Sequence, residues 1–345
     1  MRAETLLPLG KLDPGLAAPE APLDLARVPQ ESALAEEVGY RTILMEETKD
    51  DPFQVLALAA QATQRVHIGT SVAIAFARSP FVVAQAAWTA QKISKGRFEL
   101  GLGSQVRGHI RRRFGLEWHA PGPWMRDYVG AVKAIWQSWQ NETPLDYVSE
   151  RYNLNLNVPL FTPAPIDGPN IPIQVAAVNP YMATVAAQVA EGVRLHPVCS
   201  PTYIAERILP AIEPHRASNF EVCLKPLIAT AADEDNLQAR IEIARQRLAF
   251  YCSTPAYAGA FEVFGLQDLC AEMAELSRKQ AWQALAAKVD DDLLHQFVIV
   301  ARYDDLAATI TKRYSDLIQR IEVSFPVESA ADKERLAQVI HELNE

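Results

Sequence analysis

The loop between Gly101 and Gly108 places two side chains where they could bind an anion. Arg107 lies in this loop and His109 follows it, so a guanidinium, an imidazole and exposed backbone amides could all donate hydrogen bonds to phosphate oxygens. For the arginines at 111–113 that follow, we favour ordinary surface salt bridges. We therefore expect Arg107 and His109 to anchor a phosphate-bearing ligand, without a part in the chemical step.

Two other side chains could exchange a proton with a substrate. Glu47 would become a general acid if burial raised its pKa, or it could be a solvated carboxylate beside Glu46. His196 could line a substrate pocket or donate a proton, or it could be a hydrogen-bonded structural histidine. No Cys/His cluster has metal-ligand spacing, so no metal is predicted, and the four widely spaced cysteines indicate no disulfide framework.

The glycines at 101 and 103 do not begin a dinucleotide-binding fingerprint. Val106 stands where a third glycine is required, and no acidic residue closes a strand about twenty residues further on. A nicotinamide dehydrogenase of the doubly wound type is therefore a weak alternative. The glycines would let the backbone approach a flat ring or a phosphate, or they would only shape a tight turn.

Strand-like and helix-like segments alternate along nearly all 345 residues, which is typical of a parallel sheet with crossover helices. Eight strands predict an α/β fold, a (β/α)8 TIM barrel. Two insertions break the alternation of this single domain, residues 1–345: a hairpin at about 145–165 and a polar helical segment at about 251–296. The predicted strands are Leu6-Leu7, Thr42–Met45, Val66–Ile74, Phe98–Gly101, Ile173–Ala176, Val193–Leu195, Val222–Ala229 and Ile321–Phe325.

The carboxyl ends of the strands in such a barrel meet at one mouth, where chemistry collects. The residues that follow the predicted strands, together with Ser71 and Val72 inside the third strand, should therefore converge on one ligand. They are Glu46, Glu47, Thr48, Ser71, Val72, Ser104, Gln105, Val106, Arg107, Ala177, Val178, Asn179 and His196.

Composition excludes several classes of partner. The formal net charge of -9 argues against nucleic acid, because the basic cluster near Arg107 is too short for a phosphate backbone. Prolines interrupt the longest uncharged run, residues 169–190, so no membrane span is predicted. The first residues do not resemble a signal peptide, and we expect a cytoplasmic protein that acts on a small molecule.

Several stretches resemble the bacterial luciferase-like superfamily of flavin- and deazaflavin-dependent oxidoreductases. They are the strand Ile68–Val72, the helix start Ala77–Pro80 and the strand Gly96–Gly103, read as Gly-Arg-Phe-Glu-Leu-Gly-Leu-Gly. The sequences of residues 75–80, 102–114 and 250–257 are together similar to one subgroup of probable coenzyme F420-dependent oxidoreductases.

The resemblance implies hydride transfer between reduced coenzyme F420 and a small organic substrate, in a homodimer. FMN is the alternative cofactor, and it would also permit two-component monooxygenation. A non-prolyl cis peptide is implied at Ser71-Val72, where a bulge would support one face of the cofactor ring. The implied cofactor site comprises Thr48, Ser71, Val72, Ser104, Gln105, Val106, Arg107, His109, Ala177, Val178 and Asn179.

The resemblance also bears on catalysis and substrate. Glu47 and Thr48 stand where dehydrogenases of the superfamily carry Asp-His, so that histidine is missing and a non-catalytic flavin-binding protein stays an alternative. Glu47 and His196 are the implied catalytic residues. Because no lysine follows Val193–Leu195, a weakly charged carbonyl or enone is implied, not a sugar phosphate.

Overall fold

The computed structural model of the protein describes residues 1–11 and 22–345. Its strands are short, and most residues of the barrel strands are buried, as expected for a parallel sheet that is covered on both faces. In the described residues they are β1 Arg2–Leu6, β2 Thr42–Met45, β3 His67–Thr70, β4 Ala73–Ile74, β5 Phe98–Gly103, β6 Tyr147–Val148, β7 Asn153–Leu154, β8 Ile173–Ala177, β9 Gly192–Leu195, β10 Glu221–Leu224, β11 Leu227–Ala231, β12 Val298–Arg302 and β13 Arg320–Glu322.

Eight parallel strand positions close into a barrel. Hydrogen bonds link neighbours in the order β3, β2, β1, β13, β10, β9, β8 and β5, and β5 pairs back onto β3. The short strand β4 continues the path of β3 and also pairs with β5. The predicted (β/α)8 barrel is confirmed.

The helices begin at sequence signals close to the barrel mouth. Asp51, Ser79, Asn179 and Ser200 each precede a proline, and each side chain accepts a backbone N–H of the first helical turn. None of the described helices is both long and apolar enough to cross a membrane. Their bounds are Val28–Val38, Pro52–Ala62, Pro80–Ser94, Arg107–Arg112, Pro121–Asn141, Pro180–Val189, Pro201–Tyr203 continued through Ile204–Ile208 to Leu209–Ile212, Glu234–Cys252, Gln267–Arg278, Trp282–Ala286, Asp291–Phe297, Leu306–Tyr314 and Ala330–Asn344.

Two strand predictions were wrong in detail. The segment predicted as one strand, Val222–Ala229, is split into β10 and β11 by Lys225 and Pro226, because proline cannot donate to a strand ladder. Strand β11 leaves the barrel and pairs in parallel with β12, which was not predicted. The predicted strand Val66–Ile74 is interrupted at Ser71-Val72. Residues 145–165 contain the antiparallel pair β6 and β7, and residues 251–296 are helical.

Buried ion pairs fill the amino-terminal part of the barrel interior. Arg320 Nη1 lies 3.0 Å from Glu4 and 2.5 Å from Glu99, Arg194 Nη2 lies 3.0 Å from Glu4, and Arg320 also pairs with Glu221. We call these five residues the base network. Side chains two positions further along a strand point the same way, so the residues two after these face the interior nearer the mouth.

Candidate active site

One side of the barrel mouth is uncharged. Strands β3, β5 and β8 are neighbours, so the segments at their carboxyl ends lie side by side. This side holds most of the predicted cofactor residues, and we call it the neutral arc. It consists of Ser71, Val72, Ser104, Gln105, Val106, Ala177, Val178 and Asn179.

The Val72 side chain explains the glycines of β5. The Ser71-Val72 peptide is cis, which confirms the prediction made for it. A Cβ at Gly103 would lie 2.5 Å from Val72 Cγ2, and a Cβ at Gly101 would lie 2.0 Å from the Thr70 carbonyl oxygen. Both glycines therefore make room for the β3–β4 junction, and the tight-turn interpretation was wrong because both lie within strand β5. Ala176, which was missed, lies opposite Gly103, with 3.7 Å between its Cβ and the added Cβ.

The loops of the neutral arc are held by their own hydrogen bonds. Gln105 has a positive φ of 55°, and its side chain accepts the Val106 N–H at 2.8 Å. Asn179 caps its helix by accepting the Met182 N–H at 2.9 Å. The Val178 carbonyl accepts the Tyr203 hydroxyl at 3.2 Å. These hydrogen bonds hold the loops of the arc in place without a ligand. The side chain of Ala177 is buried.

The carboxylate of Glu47 accepts hydrogen bonds from other groups of the protein. Arg78 Nη1 lies 2.5 Å from both carboxylate oxygens, and the backbone N–H of Ile74 donates to Oε2 at 2.7 Å. These bonds tie the loop after β2 to the end of β4, so Glu47 is suited to positioning the neutral arc. Thr48 beside it is exposed, and its carbonyl accepts a hydrogen bond from Arg113 at 3.2 Å.

Directly after Val106 the chain forms a basic groove. Arg107, Gly108, Arg111 and Arg112 line a cavity of about 430 Å³, which we call the arginine groove. Within the described part of the chain, no carboxylate pairs with any of its three guanidinium groups. His109 is exposed and does not line the groove.

The predicted surface salt bridges of residues 111–113 are therefore absent from the part of the chain that the structure describes. Arg113 points elsewhere, over the Phe114 ring. The spacing of four residues between Arg107 and Arg111 was the sequence signal, since it places both on one face of a helix.

The other side of the mouth is charged. It follows strands β9, β10, β13, β1 and β2, which are also neighbours in the barrel. Glu46 binds Lys225 Nζ at 2.6 Å and Lys11 Nζ at 3.0 Å, and Lys225 Nζ lies 3.7 Å from Glu322. With His196, these four residues form what we call the charged arc.

The charges of this arc are mutually stabilised. Burial alone would raise the pKa of Glu46, but Lys225 and Lys11 outweigh it and hold that pKa at about 2. Burial alone would lower the pKa of Lys225, but Glu322 and Glu46 raise it above its usual value. Both groups therefore stay ionised across the physiological range.

His196 is a neutral imidazole packed between two tyrosines. Its ring centroid lies 4.8 Å from that of Tyr251 and 4.3 Å from that of Tyr257. Burial, helped by the charge of Lys225, lowers the pKa of His196 to about 3. Its Nδ1 accepts the Val198 N–H at 3.3 Å, so Nε2 carries the proton. His196 can thus donate a hydrogen bond at the mouth, while an imidazolium acid is disfavoured there.

The site thus combines a flat uncharged wall, an adjoining groove for anions and a facing cluster of ionised groups. Uncharged walls suit the ring of a cofactor, and a charged wall suits the polar atoms of a substrate. The structure defines a TIM-barrel protein, and the carboxyl ends of its strands form its candidate ligand site. Residues 7–320 match the family model for luciferase-like monooxygenases, and the chain belongs to that family.

The chain also has a relative of nearly its own length. An uncharacterised protein of Mycobacterium tuberculosis is 37% identical over 319 residues, which cover 91% of this chain and 93% of the relative. Members of the family are mostly oxidoreductases and monooxygenases.

Two solved structures share the fold at low identity. The coenzyme F420-dependent tetrahydromethanopterin reductase of Methanopyrus kandleri has a TM-score of 0.75 and 20% identity, with 99% of this chain and 98% of that chain covered. The EDTA monooxygenase of Chelativorans sp. BNC1 has a TM-score of 0.74 and 13% identity, with 100% and 93% covered. The fold is therefore compatible with either activity.

Proposed function

We propose that the protein is a coenzyme F420-dependent oxidoreductase that transfers a hydride between the reduced deazaflavin and a small organic substrate. The observation that carries the proposal is the arginine groove, which adjoins the neutral arc and has three guanidinium groups without carboxylate partners among the described residues. The structurally similar reductase of Methanopyrus kandleri is F420-dependent, and this similarity supports the same cofactor.

The residues present fit this cofactor in two places. The uncharged wall near Ser71 and Val72 would support the deazaflavin ring, and the loop bonds of Gln105 and Asn179 keep that wall fixed. The anionic tail of coenzyme F420 bears a phosphate and carboxylates, whereas FMN bears one phosphate. Three arginines suit a ligand with several anionic groups better than a ligand with a single one, because each arginine can bind a separate oxyanion.

In this assignment each group of residues has a separate task. When bound, coenzyme F420 would supply the hydride chemistry. The arginine groove anchors the tail, and Glu47 positions the neutral arc through Arg78. The charged arc, which includes His196, faces the substrate.

We include in the proposal a homodimer in the cytoplasm that acts on a small carbonyl or enone. The four cysteines are unpaired and buried, which suits a reducing compartment. An FMN-dependent two-component monooxygenase is the alternative, and the similarity to EDTA monooxygenase supports it.

Titration of the purified protein with coenzyme F420 and with FMN tests the cofactor. We expect F420 to bind more tightly than FMN, with binding measured by fluorescence. Arg107→Ala and Arg111→Ala should each weaken F420 binding by about tenfold to a hundredfold, because one charge-assisted hydrogen bond is worth about 1.5–3 kcal/mol. The rate at saturating cofactor should stay nearly unchanged, since anchoring acts equally in the ground and transition states.

Arg113→Ala is the matched control, because this arginine lies in the same segment but outside the groove. It should leave the affinity unchanged. FMN binding as tight as F420 binding would move the assignment to the monooxygenase. Unchanged F420 affinity in both groove variants would contradict the anchoring role.

A further inference from the structure

Within the described residues, the Glu322 carboxyl of the charged arc has a buried oxygen without a hydrogen-bond partner. It lies at the end of β13, two positions after Arg320, and therefore faces the interior near the mouth. Its Oε1 is 3.7 Å from Lys225 Nζ, too far for a hydrogen bond. Its Oε2 is shielded from water and has no partner in the described parts of the chain, while 12% of the side chain is exposed. A buried carboxylate with so few donors is poorly solvated, which favours the protonated form.

Groups on the surrounding strands do not remove that preference. Lys225 on the β10 side and Arg194 on β9 attract the carboxylate, whereas Glu46 after β2 and Glu4 on β1 repel it. Burial is the largest influence, and it raises the pKa of Glu322 to about 7. Glu322 can therefore hold or release a proton near neutral pH.

The other titratable groups around it are less suited to that task. Glu46 is held ionised by two lysines, and Lys225 is held protonated by its carboxylate neighbours. His196 is neutral with its proton on Nε2. Glu47 accepts hydrogen bonds from Arg78 and from the backbone N–H of Ile74.

We propose that Glu322 is the catalytic proton donor, and that it delivers its proton to the carbonyl oxygen of a ketone substrate bound between the neutral and charged arcs. This inference rests on the proposed function. Rotation of the carboxyl group about its last torsion can present the proton from either oxygen, because that torsion is broad and nearly twofold.

In this step the carbonyl group of the ketone is reduced to a hydroxyl group. The carbonyl carbon gains a hydride, with its two electrons, from the reduced deazaflavin. The C=O π bond breaks, and its electron pair forms a new O–H bond with the proton of Glu322. The carboxyl O–H bond breaks, and the resulting carboxylate is stabilised by the charge of Lys225 until Glu322 takes up a proton from water. In the reverse direction, Glu322 accepts the hydroxyl proton of an alcohol.

Infrared difference spectroscopy of the cofactor-free protein tests whether Glu322 holds this proton. Between pH 5 and pH 9 the wild type should lose a protonated-carboxyl band with a midpoint near 7. Glu322→Gln should lack that titration. Glu221→Gln is the matched control, because Glu221 is an interior carboxylate of similar exposure at the opposite end of the barrel, and it should keep the band. A band that survives in Glu322→Gln, or no such band in the wild type, would overturn the inference.

Single-turnover kinetics test the catalytic role. After F420 binding has been verified by titration, the reduced complex is mixed with cyclohexanone across the same pH range. The wild-type rate should fall above about pH 7, while Glu322→Gln should be about a hundredfold to a thousandfold slower with that fall removed. Glu322→Asp, which retains a carboxyl, should recover part of the rate and the fall.

The two possible failures give different results. A wild type that does not bind F420 would refute the proposed function at the titration step. A wild type that binds F420 and reduces cyclohexanone no faster than Glu322→Gln does would refute the role of Glu322 alone.

Discussion

The neutral and charged arcs are built by different means, although they face each other across one mouth. The neutral arc owes its shape to close backbone contacts, such as the Thr70 hydroxyl that bonds both the N–H and the carbonyl of Gly101 at 2.9 and 2.7 Å. The charged arc depends on ion pairs between residues far apart in sequence, such as Lys225 and Glu46, 179 positions apart. Steric contacts hold the neutral arc in place at any pH, whereas the protonation state of the charged arc depends on pH.

The neutral arc should be the more easily broken by added volume. We expect Gly101→Ala to lower the free energy of unfolding by about 4 kcal/mol, near the upper end for overpacking, because the new Cβ would lie 2.0 Å from a backbone oxygen. Urea denaturation followed by circular dichroism measures this. Gly108→Ala is the control and should be tolerated, since its Cβ would meet only the Arg112 side chain, at 3.4 Å. Equal stability of the two variants would show that the contact at Gly101 is easily relieved.

Much of the neutral arc was predictable because its determinants are local. The strand and helix-start residues Ile68–Pro80 and the glycines of β5 mark it within one short stretch, and the cis peptide was located to the residue. The barrel was predictable for the same reason, since each βα unit carries its own signals, such as Asp51 or Ser79 before a proline.

The charged arc was largely missed, and the cause is physical. One uninterrupted strand was predicted over Val222–Ala229, so Lys225 was assigned to the middle of a strand and not to its end. Glu322 was likewise placed within a strand that in fact ends there. Partners that meet only when the barrel closes leave no pattern along the chain, so Glu46 and Lys225 could not be paired from sequence.

The charged arc should give the second-largest effect, and it should depend on pH. Burial raises the pKa of Glu322 from 4.5 to about 7, so the folded state binds this proton more tightly than the unfolded state does. Stability from this group is full below pH 4.5 and is lost as the pH rises towards 7, by about 3 kcal/mol. Urea midpoints from pH 4.5 to 8 should fall less steeply in Glu322→Gln than in the wild type. Parallel curves for the two proteins would contradict the raised pKa.

His196 should produce the opposite slope with a somewhat smaller effect. Burial lowers its pKa from 6.5 to about 3, so between these two pH values the unfolded state binds a proton that the folded state does not bind. Stability is therefore lost as the pH falls below 6.5, by about 2.5 kcal/mol at pH 4.5. His196→Phe retains a ring beside Tyr251 and Tyr257 and should remove this acid-dependent loss, measured by the same denaturation series. His215→Gln, at an exposed site, should keep the loss, and a loss retained in His196→Phe would exclude His196 as its source.

The base network also determines which parts of the chain can assemble with each other. Two of its carboxylates, Glu4 and Glu99, belong to the first half of the barrel, whereas Glu221 and both arginines, Arg194 and Arg320, belong to the second. An isolated buried charge costs several kcal/mol, so two copies of the first half would bury like charges against each other. The two halves are electrostatically complementary and not interchangeable. If the chain were divided after β5, the fragments would be expected to reassemble as an unlike pair, because Glu4 and Glu99 of the first half need the arginines of the second.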